Sequence, residues 1–158
     1  MKFAASNRWL LAALLVTGTA SAATLDDLLA RQREGLWELR PPAGNALRFC
    51  MTDKSKRDAR AQMQAMLQGM GCRYLTDRAQ GERFEVVARC ASPDPNLGTF
   101  EVNASGTVRE DRWQFAARVS GGGPAIQRLA ENPAWRGTVQ WRRLGACAPG
   151  TAGGLQPR

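Results

Sequence analysis

Period-two alternation dominates this chain. In residues 99–108, Phe100, Val102, Ala104 and Val108 fall on one side and Thr99, Glu101, Asn103, Ser105 and Thr107 on the other. That is the pattern of a strand with one buried face. After a turn at Glu110-Asp111, Trp113, Phe115, Ala117 and Val119 repeat it on a return strand. Gly121-Gly122-Gly123-Pro124 breaks that strand, and Trp135, Val139 and Trp141 alternate with Arg136, Thr138, Gln140 and Arg142 in a last one. Near the start, Trp37 and Leu39 share a face in residues 36–40. Pro41-Pro42-Ala43-Gly44-Asn45 supplies a turn, and Leu47, Phe49 and Met51 form the apolar face of residues 46–51. Residues 72–77 and 82–90 complete a count of seven strands, as two arms of a hairpin around Gly81.

Three segments break this period. Thr24 is placed to cap a short helix over 25–34, with Asp26 and Asp27 in its first turn and Leu25, Leu28 and Leu29 as its apolar stripe. Residues 55–68 form the strongest helical pattern. Ser55 is the candidate N-cap, Ala59, Met63, Met66, Leu67 and Met70 recur at helical spacing, and Gly69 and Gly71 supply the stop. Its methionines are expected to pack on the sheet. Lys54, Lys56, Arg57 and Arg60 crowd its start, the unfavourable end for cations. Residues 125–131 supply one or two helical turns. The fold class expected is therefore mainly β, a β-rich α+β arrangement. It is an antiparallel meander sheet or partly closed barrel with one packed helix and two disulfides.

Residues 1–22 lie outside this pattern. Lys2 and Arg8 precede the apolar run 10–16, and Ala20-Ser21-Ala22 fits a small-residue cleavage site. This is the pattern of a secretory signal, too short in its apolar core for a membrane span. Cleavage leaves about 136 residues. They divide into a helical segment 23–34, a β-rich domain 35–147, and a Gly/Pro-rich tail 148–158 expected to be flexible. No integral membrane segment is expected after cleavage, and the signal style points to a bacterial periplasm or the exterior. Loss of Lys2 and Arg8 with the leader leaves 20 bases against 14 acids, a net charge of +6. Nineteen of the 22 bases are Arg, so the surface has guanidinium groups for anionic lipid or an acidic partner. Nucleic acid is not an expected partner of an exported chain.

All four cysteines lie in the mature part, and an even count in an exported chain indicates two disulfides. Four cysteines allow three pairings. One has a local argument. Setting Cys72 opposite Cys90 puts Tyr74 opposite Ala88 and Thr76 opposite Val86, on a face shared with Phe84. It leaves Arg73, Asp77, Arg83, Glu85 and Arg89 on the other face. Leu75 and Val87 then meet on the polar face as an exception. This pairs Cys72 with Cys90 and leaves Cys50 with Cys147. Alternation turns Cys50 toward the polar side with Arg48, a conflict that a bulge or a strand end would reconcile and that the sequence does not decide.

Several fragments carry a further signal. Gly35-Leu36-Trp37-Glu38 follows the leader, and Cys50-Met51-Thr52 precedes a helix. Gly71-Cys72 opens a hairpin ending at Cys90, and Arg143-Leu144-Gly145-Ala146-Cys147 closes the domain. Together they resemble the exported bacterial family called domain of unknown function 3617, over about residues 35–147. The resemblance implies a small secreted or periplasmic protein. It implies no activity and no catalytic residue.

Chemistry narrows the functional classes. The chain has no histidine, which removes Ser-His-Asp and Cys-His catalysis. No cysteine spacing suits a thioredoxin-like site or a zinc ribbon, and no metal or cofactor is expected. A carboxylate-based hydrolase is the remaining enzymatic class, but Glu38 and Glu101 fall on polar faces and Asp94 in a Pro-rich loop. The expectation is a non-enzymatic periplasmic or envelope protein that binds a small apolar or anionic ligand. The site would lie at Trp113, Phe115 and Trp141, with Arg143 holding an anionic head. The alternative is a cationic interaction module that binds an envelope component or another exported protein. A carrier predicts a cavity behind the sheet; a surface module predicts a positive patch.

Overall fold

The computed structural model describes residues 23–133 and 136–149. The expected leader, Trp135 and most of the expected tail lie outside the described residues. The element order is α1 (Leu25–Ala30), β1 (Gly35–Arg40), β2 (Leu47–Met51), α2 (Asp53–Gly69), β3 (Cys72–Gln80), β4 (Arg83–Ala91), β5 (Thr99–Val108), β6 (Arg112–Gly121), α3 (Pro124–Glu131) and β7 (Thr138–Gly145).

The seven strands form one antiparallel sheet in the order β2-β1-β7-β6-β5-β4-β3. β3 to β7 are a meander. The β1–β2 hairpin, from the start of the chain, adds to the free side of β7. β2 and β3 remain as edges, so the sheet is open rather than a closed barrel.

One face is predominantly apolar. Register carries it from Phe49 to Trp37, from Leu39 to Trp141, from Trp141 to Trp113, and on through Val102 and Ala88. α1 covers one part of it, where Leu28 packs with Phe84, Val86 and Val108. α3 covers another, where Ile126 packs with Cys90 and Phe100. Trp37 is fully buried and donates its indole N–H to the Arg33 carbonyl at 3.0 Å.

Gly35, which opens the Gly-Leu-Trp-Glu motif, sits at φ +140°, and a Cβ there would lie 2.2 Å from the Gly145 carbonyl oxygen. Only glycine lets β1 start this close to β7.

Both disulfides have the expected partners, Cys72 with Cys90 and Cys50 with Cys147. Cys72 and Cys90 are directly opposite in the ladder. Cys50 lies on the polar face opposite Leu36, as alternation requires, yet it is buried. The strand β7 skips Leu144 in pairing with β1, and Cys147 reaches Cys50 just beyond that bulge.

The hairpin register differs from the uniform alternation beyond Tyr74. Leu75 is bulged out, so Thr76 pairs with Val87 and Asp77 pairs with Val86. A bulge adds one residue to one strand and swaps the faces of those that follow. It removes the Leu75–Val87 exception and turns Asp77 toward the apolar face, where it meets α1.

α2 also departs from expectation. It begins at Asp53, two residues earlier than Ser55. Thr52 is the N-cap, and Thr52 and Ser55 cap each other's backbone N–H groups. No residue of α2 is buried, and Met63 and Met66 remain 52% and 50% exposed. Only the C-cap Met70 joins a core cluster. The sheet is covered by α1 and α3 instead, which leaves α2 beside β3.

Candidate functional site

The rings expected to form a ligand site lie together on one face of the sheet. Trp113 stacks on Phe115 with ring centres 4.9 Å apart, and Trp141 lies 5.0 Å from Trp113. Phe49 meets Trp141 edge-on at 5.1 Å. These rings are half-buried on the apolar face. The indole Nε1 atoms of Trp113 and Trp141 are buried without a hydrogen-bond partner among the described residues.

Arg143 does fall on this face, because β7 stays regular up to it and it pairs with Trp37. Its Nε donates to the Glu34 carbonyl at 2.7 Å. The group expected to hold an anionic head instead anchors the segment that leads into β1.

The other face carries a feature that alternation alone does not reveal. Arg48 lies opposite Glu38, Glu38 opposite Arg142, and Arg142 opposite Arg112. The register thus aligns four residues across β2, β1, β7 and β6. Arg40 and Gln140 pair one step along on the same face, and Gln140 pairs in turn with Gln114.

Glu38 is only 4% exposed, although it lies on the polar face. Arginine side chains cover it. Arg40 Nε donates to Oε1 at 2.7 Å, Arg142 Nη2 donates to the same oxygen at 3.3 Å, and Arg48 Nε donates to Oε2 at 3.4 Å. Hydrogen bonding from Arg40 is the largest cause that holds this carboxyl below the usual carboxylate range; the neighbouring charges act the same way against burial. Glu38 is therefore ionised at neutral pH and accepts three hydrogen bonds from arginines. General acid work needs a carboxyl shifted the other way.

Charge does not balance here. Four guanidinium groups, Arg40, Arg48, Arg112 and Arg142, lie around one carboxylate, and three of them bond to it. Arg112 forms no ion pair among the described residues. A depression of about 200 Å³ is lined by Glu38, Arg40, Arg112 and Arg142, by Gln114 and Gln140, and by Trp141. Sequence reasoning placed Glu38 and Arg142 on polar faces but did not join them, since the row forms across strands.

Acidic partners offset several of the other basic groups. At the start of α2, Lys54 pairs with Asp58 at 2.6 Å, Lys56 with Asp53 at 2.6 Å and Arg60 with Asp26 at 3.4 Å. A larger depression, of about 460 Å³, lies by the β3–β4 and β5–β6 turns. Arg33 pairs there with Glu110 at 2.9 Å and Arg109 with Glu82 at 2.7 Å. Neither depression is lined by Trp113 or Phe115.

Among the described residues, no helix is long and apolar enough to cross a membrane. No curated protein matches the chain, and no solved structure does. The family model described as "Protein of unknown function (DUF3617)" matches residues 29–147, most of the chain and nearly all of the described structure. With the Gly-Leu-Trp-Glu start, the Arg-Leu-Gly-Ala-Cys finish and both disulfides inside that span, the chain belongs to this family.

Proposed function

We propose that this chain is an exported, non-enzymatic interaction module that binds an anionic component of the cell envelope through the polar face of its sheet. The observation that carries this is the excess of guanidinium groups around Glu38. Like charges set directly opposite in a sheet are unfavourable, and Arg112 and Arg142 occupy such a pair. An anionic partner supplies the missing charge. Export is supported by the leader pattern of residues 1–22 and by two disulfides, which persist in oxidising compartments.

The test is co-sedimentation of the mature protein with vesicles containing anionic lipid and with purely zwitterionic ones. Retention on the anionic vesicles alone, decreasing as salt rises, supports the proposal. Equal behaviour on both overturns it. Fractionation of expressing bacteria, with the intact mass of the purified protein, checks the export step. A chain starting at Ala23 or Thr24 and four hydrogens lighter than its reduced form is the expected product.

A second function is favoured by one observation, the half-buried rings Trp113, Phe115 and Trp141 on an open sheet. These rings would take the apolar body of a small ligand. Native mass spectrometry without detergent would then show a bound mass of a few hundred daltons. Trp113→Ala would abolish its uptake. Uptake that persists in a destabilised Trp113→Ala protein removes this function.

A further inference from the structure

The geometry around Glu38 points to a more specific ligand, a phosphomonoester group seated between Arg112 and Arg142. This inference rests on the proposed anionic partner and names its chemistry.

The four strands set the spacing. Neighbouring strands lie about 4.8 Å apart, so the paired residues Arg112 and Arg142 hold two guanidinium groups within reach of one tetrahedral anion. Arg142 gives one Nη2 to Glu38 at 3.3 Å. A guanidinium has five N–H donors, so most of those on Arg142 remain for a ligand, and Arg112 gives no side-chain hydrogen bond among the described residues. Gln114 and Gln140, paired one step along, add amide donors to the same depression. Its volume of about 200 Å³ suits a single phosphate group with part of what it esterifies.

Glu38 supplies the positioning. Buried and ionised, it holds Arg40, Arg48 and Arg142 by their guanidinium groups, so the site is ordered before a ligand arrives. Preorganisation of this kind lowers the cost of binding. The carboxylate cancels one charge of four, which leaves three. A dianion uses that excess better than a carboxylate or a phosphodiester, each of which carries one negative charge.

The charged groups that line the depression are Glu38, Arg40, Arg112 and Arg142, with Arg48 beyond Glu38. The arginines do not titrate in the accessible range, and Glu38 is already ionised. The pH dependence of binding therefore comes from the ligand. Its second ionisation lies near pH 6, so affinity rises from pH 5 to about pH 7.5 and then levels.

The test is titration of the mature, disulfide-bonded protein with glycerol phosphate at low salt, followed by calorimetry and phosphorus NMR. Sulfate and acetate serve as comparisons. Binding is expected to tighten severalfold, up to about tenfold, between pH 5 and 7.5. Arg112→Gln should weaken it at least tenfold. Arg112 touches no part of Glu38, so this variant removes a donor without unpairing the buried carboxylate. Arg89→Gln, elsewhere on the polar face, should leave binding unchanged. No binding of glycerol phosphate, binding that ignores pH, or binding equal in wild type and Arg112→Gln overturns the phosphomonoester assignment.

The vesicle arm separates this from the broader proposal. Vesicles of phosphatidylglycerol present a phosphodiester, and vesicles of phosphatidic acid present a monoester. Retention on both, with equal affinity and loss in Arg112→Gln, keeps the anionic surface and overturns the monoester. Retention on phosphatidic acid alone supports a lipid source. Binding of soluble glycerol phosphate without vesicle retention supports a soluble source and overturns the envelope-surface proposal. Failure of every arm overturns both.

Discussion

Asp77 accepts a hydrogen bond through Oδ1 from the backbone N–H of Leu25 at 3.0 Å. The two residues are 52 positions apart. The contact exists because the bulge at Leu75 turns Asp77 toward the side of the sheet that α1 covers. Thr24 and Asp27 cap the same helix end by their own reciprocal bonds. A helix of six residues is too short to stand alone, so this long-range cap and the burial of Leu28 fix its position.

Asp77→Ala should therefore release α1 before the rest of the domain. The expected cost is about 1–2 kcal/mol, that of a lost cap and a charged hydrogen bond. Hydrogen exchange should show lost protection at Leu28 and Leu29, with the β4–β5 ladder retained. Uniform loss of protection would mean that α1 is not separately held.

Glu38→Gln tests the buried carboxylate. Its folded pKa lies below the ordinary value, so its ionised form stabilises the fold. That contribution is complete above the unfolded value of about 4.3 and is lost as pH falls through the folded pKa. At pH 7 the variant should be less stable by about 1–3 kcal/mol, since burial raises the value of the charge and the exposure of the arginines lowers it. The difference should shrink below about pH 4. Urea midpoints at pH 7 and pH 3.5 measure it; a constant difference would show that the charge is not the stabilising element.

The two disulfides should differ in weight. Cys50–Cys147 closes a separation of 97 residues and Cys72–Cys90 one of 18. Chain entropy assigns the first about 4.7 kcal/mol and the second about 3. Replacing each pair by Ser, followed by thermal unfolding, should give the larger loss for Cys50 and Cys147. That pair also holds the β1–β2 hairpin to the segment just after β7, where the first and last described strands of the sheet meet.

Two glycines should respond in opposite directions. A Cβ on Gly106 would lie 2.1 Å from the Gln114 carbonyl oxygen and 2.7 Å from Phe115 Cα, both backbone atoms. Gly106→Ala must push β5 and β6 apart and should cost about 3 kcal/mol. Gly69, at the end of α2, meets nothing within 4 Å and has no positive φ. Gly69→Ala should stabilise by about 0.5 kcal/mol through helix propensity. Chemical denaturation of both variants decides this; a neutral Gly106→Ala would mean the β5–β6 approach is looser than described.

Much of this molecule is local in origin, and that part was legible in the sequence. Strand alternation needs only neighbours along the chain, so the apolar face from Trp37 to Cys90 and the Cys72–Cys90 hairpin follow from period two. The α1 cap at Thr24 and the left-handed Gly71 just past α2 are equally local, whereas Gly69, also expected as a stop, is the last residue of the helix. The misfit of Leu75 opposite Val87 was the visible trace of a bulge, although nothing in the chain marked which residue would be expelled.

Tertiary structure decided what depends on register between distant strands. The addition of β1 to β7 brings Glu38 beside Arg142, 104 positions away. That pairing buries a carboxylate on a face that alternation marks as solvated. It also lines up Arg48, Glu38, Arg142 and Arg112, which share no contiguous motif because the row runs across the chain direction. Coverage of the apolar face is likewise a tertiary outcome. The methionine stripe of α2 has the stronger helical pattern, yet α1 and α3 take the sheet because bulge, cap and hairpin geometry deliver Leu28 and Ile126 there. Periodicity states which side of an element is apolar; only the packed fold determines which apolar sides meet.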